Sequence, residues 1–332
     1  MPTILISGVT GTLGKAILRA AVKSNIYSRV VGLSRDEVKQ SQLGDEFHDF
    51  AALRLFLGDV RDRGRLAMAM RGVDYLIHAA ALKRIDAGTY SPSEMIETNV
   101  NGTVNIVNAA IYAGVKRVVV VSSDKACAPT NLYGLTKGCA ESYAVHANTY
   151  GYPSGTLIAA VRYGNILGSR GSVVPRWILQ ASRGERLTLT DAKMTRFIMT
   201  IEEAVALILY ALQWMRGGEV FVPVLPTATM CDLATAVAPH VEIESVGVRP
   251  GGEKFAEALL NDEEPSRTRR VSSKYLHVVP SHHAWVKDDL WDGDPVTEQA
   301  QHYRSDNPGP LGNKKLSVGE LRELLAATEA MR

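Results

Sequence analysis

The chain has 332 residues, 46% of them hydrophobic, enough for one large or two ordinary domains with a well-buried core. Thirty-seven Lys and Arg against 35 Asp and Glu leave a net charge of +2, which gives no field for nucleic acid or an acidic membrane, so any anion must be held locally. Three irregularly spaced cysteines, Cys127, Cys139 and Cys231, exclude a disulfide framework or zinc site and fit a reducing cytoplasm, while neither a basic leader nor an apolar run of roughly 18 residues argues for secretion or membrane insertion. No metal is expected.

Short apolar runs at 3–7, 29–33, 54–57, 75–78, 117–122 and 156–162 read as strands, and helix-length segments separate them. That alternation predicts an α/β fold with a doubly wound parallel sheet covered on both faces, the Rossmann arrangement. The pattern changes near Asn165. Residues 1–165 are expected to form the dinucleotide-binding domain, and residues 166–332 a smaller mixed α/β substrate domain with some segments returning to the first. Residues 261–315 are polar and broken by Pro and Gly, and paired His282-His283 reads as a solvated loop.

The first strand runs into Gly8-Val9-Thr10-Gly11-Thr12-Leu13-Gly14 and then a helix, the setting a dinucleotide fingerprint requires. Glycines let the backbone approach a pyrophosphate that faces the free N–H groups of the helix N-terminus. The second strand ends Ser34-Arg35-Asp36. Ser34 and Arg35 suit the 2′-phosphate of NADP, although Asp36 could still face the ribose of NAD. Asp59 and Val60 after the third strand are expected at the adenine, and Ala79-Ala80-Ala81 after the fourth beneath the nicotinamide. Lys83 follows as a candidate for cofactor or substrate.

The fifth strand delivers Ser123-Asp124-Lys125, and Tyr133 and Lys137 follow, four apart on one helix face. The lysine cation is expected to lower the tyrosine, whose ordinary pKa is ~10, so that it can act as a base toward a sugar hydroxyl while the carbon beneath gives up hydride. Ser123 would hold the same oxygen. A simple dehydrogenase or epimerase has no use for a further acid and base, whereas a dehydratase does: Asp124 can protonate a departing C6 hydroxyl and Lys125 can handle the proton at C5. Cys127, close by, reads as a small packing residue.

At these residues the sequence resembles the UDP-N-acetylglucosamine 4,6-dehydratases, extended short-chain dehydrogenase/reductases of polysaccharide biosynthesis, and in particular their C5-inverting group. The motifs that match in order are Ala80 to Arg84, Thr98-Asn99-Val100-Asn101-Gly102, Ser122 to Ala126, Asn131 to Lys137, Val161 to Asn165, Gly168 to Pro175, Met194 to Phe197 and Arg249-Pro250-Gly251. The resemblance implies Asp124, Lys125, Tyr133 and Lys137 as the catalytic set, with Asn99 as a helix-bending, water-holding neighbour. It implies Lys83, Asn165, Arg170, Arg196, Arg249 and Glu253 at the sugar and diphosphate, with Ser172 and Val173 in the uracil-side loop. It also implies a recycled NADP, a 4-keto-6-deoxy product inverted at C5, and a homo-oligomer, dimer or hexamer. A retaining 4,6-dehydratase, a 5,6-dehydratase, an epimerase and a non-catalytic NADP sensor remain alternatives. Val9 replaces a usual glycine, Ser123 a usual threonine, and Gly252 is an extra glycine that leaves the register of Glu253 and Lys254 open.

Overall fold

The computed structural model describes residues 1–328 apart from 249–251, 282–292, 297–299, 301–302 and 310. Its central sheet grows from β1 (Thr3–Ser7), β2 (Arg29–Ser34), β3 (Leu53–Leu57), β4 (Tyr75–His78), β5 (Arg117–Val121) and β6 (Leu157–Val161), in the parallel order β3-β2-β1-β4-β5-β6. The order reverses between β1 and β4. A doubly wound sheet opens a crevice at such a point.

The strands are apolar on both faces because both are covered. Ile4, Ile6, Val30, Ile77, Val119 and Val121 pack on one side with the helices Thr12–Ser24 and Ile201–Trp214. Leu5, Val31, Leu33, Leu76, Val118 and Val120 pack on the other with the helices Gly102–Tyr112 and Leu132–His146. Successive strand residues point to opposite faces, so the near-continuous apolar runs fill two cores at once. Each such side chain contributes about 1.5–3 kcal/mol of burial.

After β6 the chain leaves the sheet and returns. The strand β7 (Asn165–Ile166) runs parallel to β9 (Thr195–Met199), which also pairs antiparallel with β11 (Thr227–Thr229). The strands β8 (Leu187–Leu189) and β12 (Ile243–Ser245) form a separate pair. Trp177, Leu189, Ile198, Leu233 and Leu321 make the core of this second region. Between these excursions β10 (Val220–Pro223) rejoins the large sheet beside β6, and β13 (Thr268–Arg270), β14 (Tyr275–Val278) and β15 (Asp294–Pro295) extend it antiparallel.

A buried cation fixes this return. The Arg162 guanidinium, at the end of β6, is bound by Glu141 of the helix Leu132–His146 and by Glu264, and it also donates to the Leu259 carbonyl at 3.0 Å. All its N–H groups are used. Burial opposes the charge, but the two carboxylates outweigh it and hold the guanidinium well above its usual range. Arg162→Met should therefore cost about 3–5 kcal/mol, because two buried carboxylates lose their partner. Urea unfolding checks this, and a loss below about 1 kcal/mol would contradict it.

Candidate active site

The crevice between β1 and β4 is a cleft of about 270 Å³ lined by Gly8, Thr10, Gly11, Ser34, Arg35, Asp36, Lys39, Val60, Ala79, Ala80, Ala81 and Thr98, among others. Gly8 has φ +70°, and a Cβ there would lie 2.8 Å from the Ala80 backbone, so the first loop can press against the fourth only as glycine. The following helix starts at Thr12 with no acidic residue in its first turn, leaving its N–H groups open to an anion. Gly14 packs on the Gly8 carbonyl, Leu13 against the core, and the Thr12 hydroxyl accepts the Arg170 amide at 3.2 Å.

At the end of β2, Ser34 is held by Gln40, whose amide reaches its Oγ at 2.9 Å. Asp36 caps the helix Glu37–Glu46, accepting from the Lys39 amide at 2.9 Å and pairing with the Lys39 ammonium, which holds its carboxyl below the usual range. Its charge is thus already partnered. Arg35 is half exposed, 3.4 Å from Asp59, and Asp59 is bound more closely by Arg61 at 2.7 Å.

The loop after β4 is set by a directional chain of hydrogen bonds. Thr103 donates to the Asn99 carbonyl at 2.6 Å, so its oxygen accepts from His78 Nε2, and His78 Nδ1 accepts from Ser7 at 2.7 Å. Burial pushes His78 down to about 3, which keeps it neutral. Asn99 lies in a π-turn, Glu97–Asn101, and its side chain bonds both the amide and the carbonyl of Leu82 and the Thr136 hydroxyl, at 2.8, 2.9 and 3.1 Å. The amide nitrogen of Asn99 is thus spent on protein groups and its oxygen accepts from the Leu82 amide.

Beyond this loop the end of β5 meets the helix Leu132–His146. Asn131 caps that helix, and Gly134 lets it approach: a Cβ there would run into the Lys125 carbonyl. Ser123 donates to Asp124 Oδ1 at 2.9 Å and lies within hydrogen-bonding reach of the Tyr133 phenol. Lys125 Nζ sits 3.0 Å from Asp124 Oδ1, and Lys137 Nζ donates to the Val121 carbonyl at 2.6 Å. Ser123, Asp124, Lys125, Tyr133 and Lys137 therefore converge in one buried centre. Its electrostatics differ from expectation at the tyrosine. Burial pushes the Tyr133 phenol up and lowers the Lys137 ammonium to about 8, so the protein alone does not activate the tyrosine. Burial also raises the Asp124 carboxyl; Lys125 opposes that shift and Glu257 reinforces it.

The remaining candidates surround this centre. Lys83 is lowered by desolvation, then by Arg170 and Lys125, three cations turned toward a common space. Asn165 Oδ1 and Ser172 Oγ are buried and make no hydrogen bond among the described residues, and Val173 begins the helix Val173–Ser182 without an acidic first turn. Thr98 Oγ1, Ser122 Oγ and Asp124 Oδ2 are unpartnered in the same way. Buried polar atoms need partners, so these groups, of which Thr98 lines the cleft, are candidates to meet a polar ligand. Arg196 adjoins the centre but is occupied by backbone groups. Its guanidinium binds the carbonyls of Thr195, Lys254 and Phe255. Glu253 accepts from Thr190 at 3.2 Å, and Lys254 donates to the Cys127 carbonyl. Arg249 and the His282-His283 pair lie outside the described residues. Burial raises the Cys127 thiol to about 12, an unreactive packing group. Among the described residues no group of three or more His, Cys, Asp or Glu could hold a metal, and no helix is long and apolar enough to cross a membrane.

Residues 4–279 match the polysaccharide biosynthesis protein family. A UDP-N-acetylglucosamine 4,6-dehydratase (inverting) of Campylobacter jejuni is 37% identical over 98% of this chain and 98% of its own length. The chain belongs to the polysaccharide biosynthesis family. Its fold and these relatives make it an extended short-chain dehydrogenase/reductase, close in sequence to the nucleotide-sugar 4,6-dehydratases of that family. Other relatives carry a different name: a UDP-glucose 4-epimerase of Rickettsia massiliae is 36% identical over 97% of this chain and 95% of its own. Among solved structures, Pen from Bacillus thuringiensis superposes with a TM-score of 0.90 at 34% identity, covering 99% of this chain and 98% of that one.

Sequence reasoning did not find Glu257, whose carboxylate lies 3.5 Å from Lys125 Nζ, nor Thr98 as a cleft residue. The i, i+3 spacing of Lys254 and Glu257 was a signal for their pairing, and nothing local linked either to Lys125.

Proposed function

We propose that the protein is an NADP-dependent 4,6-dehydratase acting on UDP-N-acetylglucosamine, with inversion at C5. The observation that carries this reading is the buried Asp124–Lys125 pair beside Tyr133: a carboxyl raised by burial is an acid in reserve, which 4-epimerisation does not use. The Campylobacter relative's name supplies the sugar.

Gly8, Thr10, Gly11, Thr12, Leu13 and Gly14 would hold the cofactor diphosphate, Ser34 and Arg35 its 2′-phosphate, Asp59 and Val60 the adenine, and Ala79, Ala80 and Ala81 the nicotinamide half. The capping role of Asp36 supports NADP, since the carboxylate that would repel a 2′-phosphate is already paired with Lys39. Bound NADP supplies reversible hydride storage and is not consumed. Its positively charged oxidised ring would also favour the Tyr133 phenolate, compensating for the burial that raises the phenol.

Tyr133 takes the proton of the C4 hydroxyl, with Ser123 holding that oxygen and Lys137 acting from behind the tyrosine. Oxidation at C4 makes the C5 proton acidic. As the C5 proton passes to solvent, Asp124 gives its proton to the C6 hydroxyl, which leaves as water; the hydride removed from C4 is returned at C6, and Lys125, held as an ammonium, delivers a proton to C5. Asn99 keeps the Leu82 loop in place. Lys83 and Arg170 are assigned to the diphosphate, Asn165 to the sugar, and Ser172, Val173, Arg249 and Glu253 to the nucleotide side, while Arg196 supports the site through the 254–255 backbone. Epimerisation is the second reading, favoured by the names of the Rickettsia relatives.

Mass spectrometry of purified protein incubated with UDP-N-acetylglucosamine separates the two. The dehydratase reading expects loss of one water, abolished by Tyr133→Phe and slowed about 10²–10⁴-fold by Asp124→Asn. Product of unchanged mass with a new hexosamine epimer would overturn it. For the cofactor, Arg35→Ala should weaken NADP⁺ binding by about 1.5–3 kcal/mol while leaving NAD⁺ affinity little altered, as read by calorimetry; equal losses for both would remove the 2′-phosphate assignment.

A further inference from the structure

Glu257 is almost wholly buried, yet it has no part in the chemistry above. Its Oε1 lies 3.5 Å from Lys125 Nζ, and its Oε2 lies 3.6 Å from Lys254 Nζ while accepting no hydrogen bond among the described residues. The backbone around it is fixed on both sides. Arg196 binds the carbonyls of Lys254 and Phe255, and the Glu257 amide donates to Ser305 Oγ at 2.9 Å. A carboxylate carried on so constrained a segment presents a fixed charge to the end of β5.

We propose that Glu257 is a positioning residue of this centre: its carboxylate holds the Lys125 ammonium against Asp124, so that one lysine is shared by two buried carboxyl groups of which Asp124 carries the proton. The proposal rests on the dehydratase reading and deepens it by naming what keeps the acid in its acid form.

Two like charges around one ammonium cannot both be ionised cheaply. The surroundings choose between them. Glu257 faces Lys125, Lys254 and Arg196, and although burial opposes its ionisation these three cations hold it below the usual range. Asp124 faces Lys125, Ser123, Tyr133, Tyr163 and Glu257, and burial raises it with Glu257 adding to the rise. Burial also opposes the charge on Lys125, but Asp124 and Glu257 outweigh it. The proton is therefore held on the carboxyl that adjoins Ser123 and Tyr133, and Lys125 stays a donor. Because the two sites interact strongly, their titrations belong to the cluster and not to either residue alone.

Removing the Glu257 charge has a defined sign. Asp124 then ionises more easily and Lys125 loses its proton more easily, so both titrations move to lower pH. In Glu257→Gln, kcat should fall on the order of 10²-fold with KM little changed, and the alkaline limb of the kcat–pH profile should shift to lower pH. Glu257→Asp keeps the charge and should restore the limb toward its wild-type position. A fall in kcat with the limb unmoved, or an equal shift in the Asp variant, overturns the proposal. The wild-type protein gives an independent measurement that needs neither substrate nor a Glu257 variant: infrared spectra at neutral pH should contain a protonated carboxyl band that Asp124→Asn removes. Absence of that band also overturns it. If wild-type protein carries the band and yet dehydrates no nucleotide sugar, the dehydratase reading has failed while the proton assignment stands.

Discussion

Two cations, the buried Arg162 and the partly buried Lys125, each bridge two acidic side chains and tie the late part of the chain to the sheet. Arg162 joins Glu141 to Glu264, and Lys125 joins Asp124 to Glu257. Charge removed from water must be paired, so residues 257–264 cannot leave without stranding groups at the ends of β5 and β6 and on the helix between them. The same constraint that anchors the fold thereby carries a carboxylate into the candidate centre. Stability and chemistry are coupled here through electrostatics, with apolar packing setting only the frame.

That frame does its own work at the switch point. Strands apolar on both faces leave polar groups to their ends, and the reversal of order between β1 and β4 opens their carboxyl ends into a cleft. Close approaches that only glycine permits bring its walls together, at Gly8 against Ala80 and at Gly134 against Lys125. The Ser7–His78–Thr103–Asn99 chain then fixes the loop between them. Buried side-chain atoms at Thr98, Ser122, Asp124, Asn165 and Ser172 are left without a partner among the described residues.

Much of this was legible in the sequence wherever the signal was local. Period-2 burial wrote the parallel strands as continuous apolar runs, and the strand at 54–57 was one residue shorter than the observed Leu53–Leu57. The spacings of the glycine loop and of Tyr133 and Lys137 needed only one helix each. The second region was harder, because strands of two or three residues such as β7 and β8 carry no period of their own. Asp36 illustrates a different limit: one carboxylate at a strand end can meet a ribose or cap the next helix, and its contact with Lys39 was not visible in the sequence. Tyr133 shows that spacing does not give electrostatics, since burial raises its phenol against the hydrogen bond from Ser123. Glu257, Arg196 and Lys125 are far apart in sequence, so their cluster exists only after folding.

The central claim is that C4 oxidation is coupled to proton exchange at C5 and loss of water at C6 within one buried site. The most direct measurement is NMR of the product formed from UDP-N-acetylglucosamine in D₂O without a reductant. The account predicts a 4-keto-6-deoxy sugar carrying solvent deuterium at C5, with the configuration there inverted and no net change in cofactor redox state. A product with unexchanged hydrogen at C5, or one that keeps its C6 hydroxyl, would contradict it.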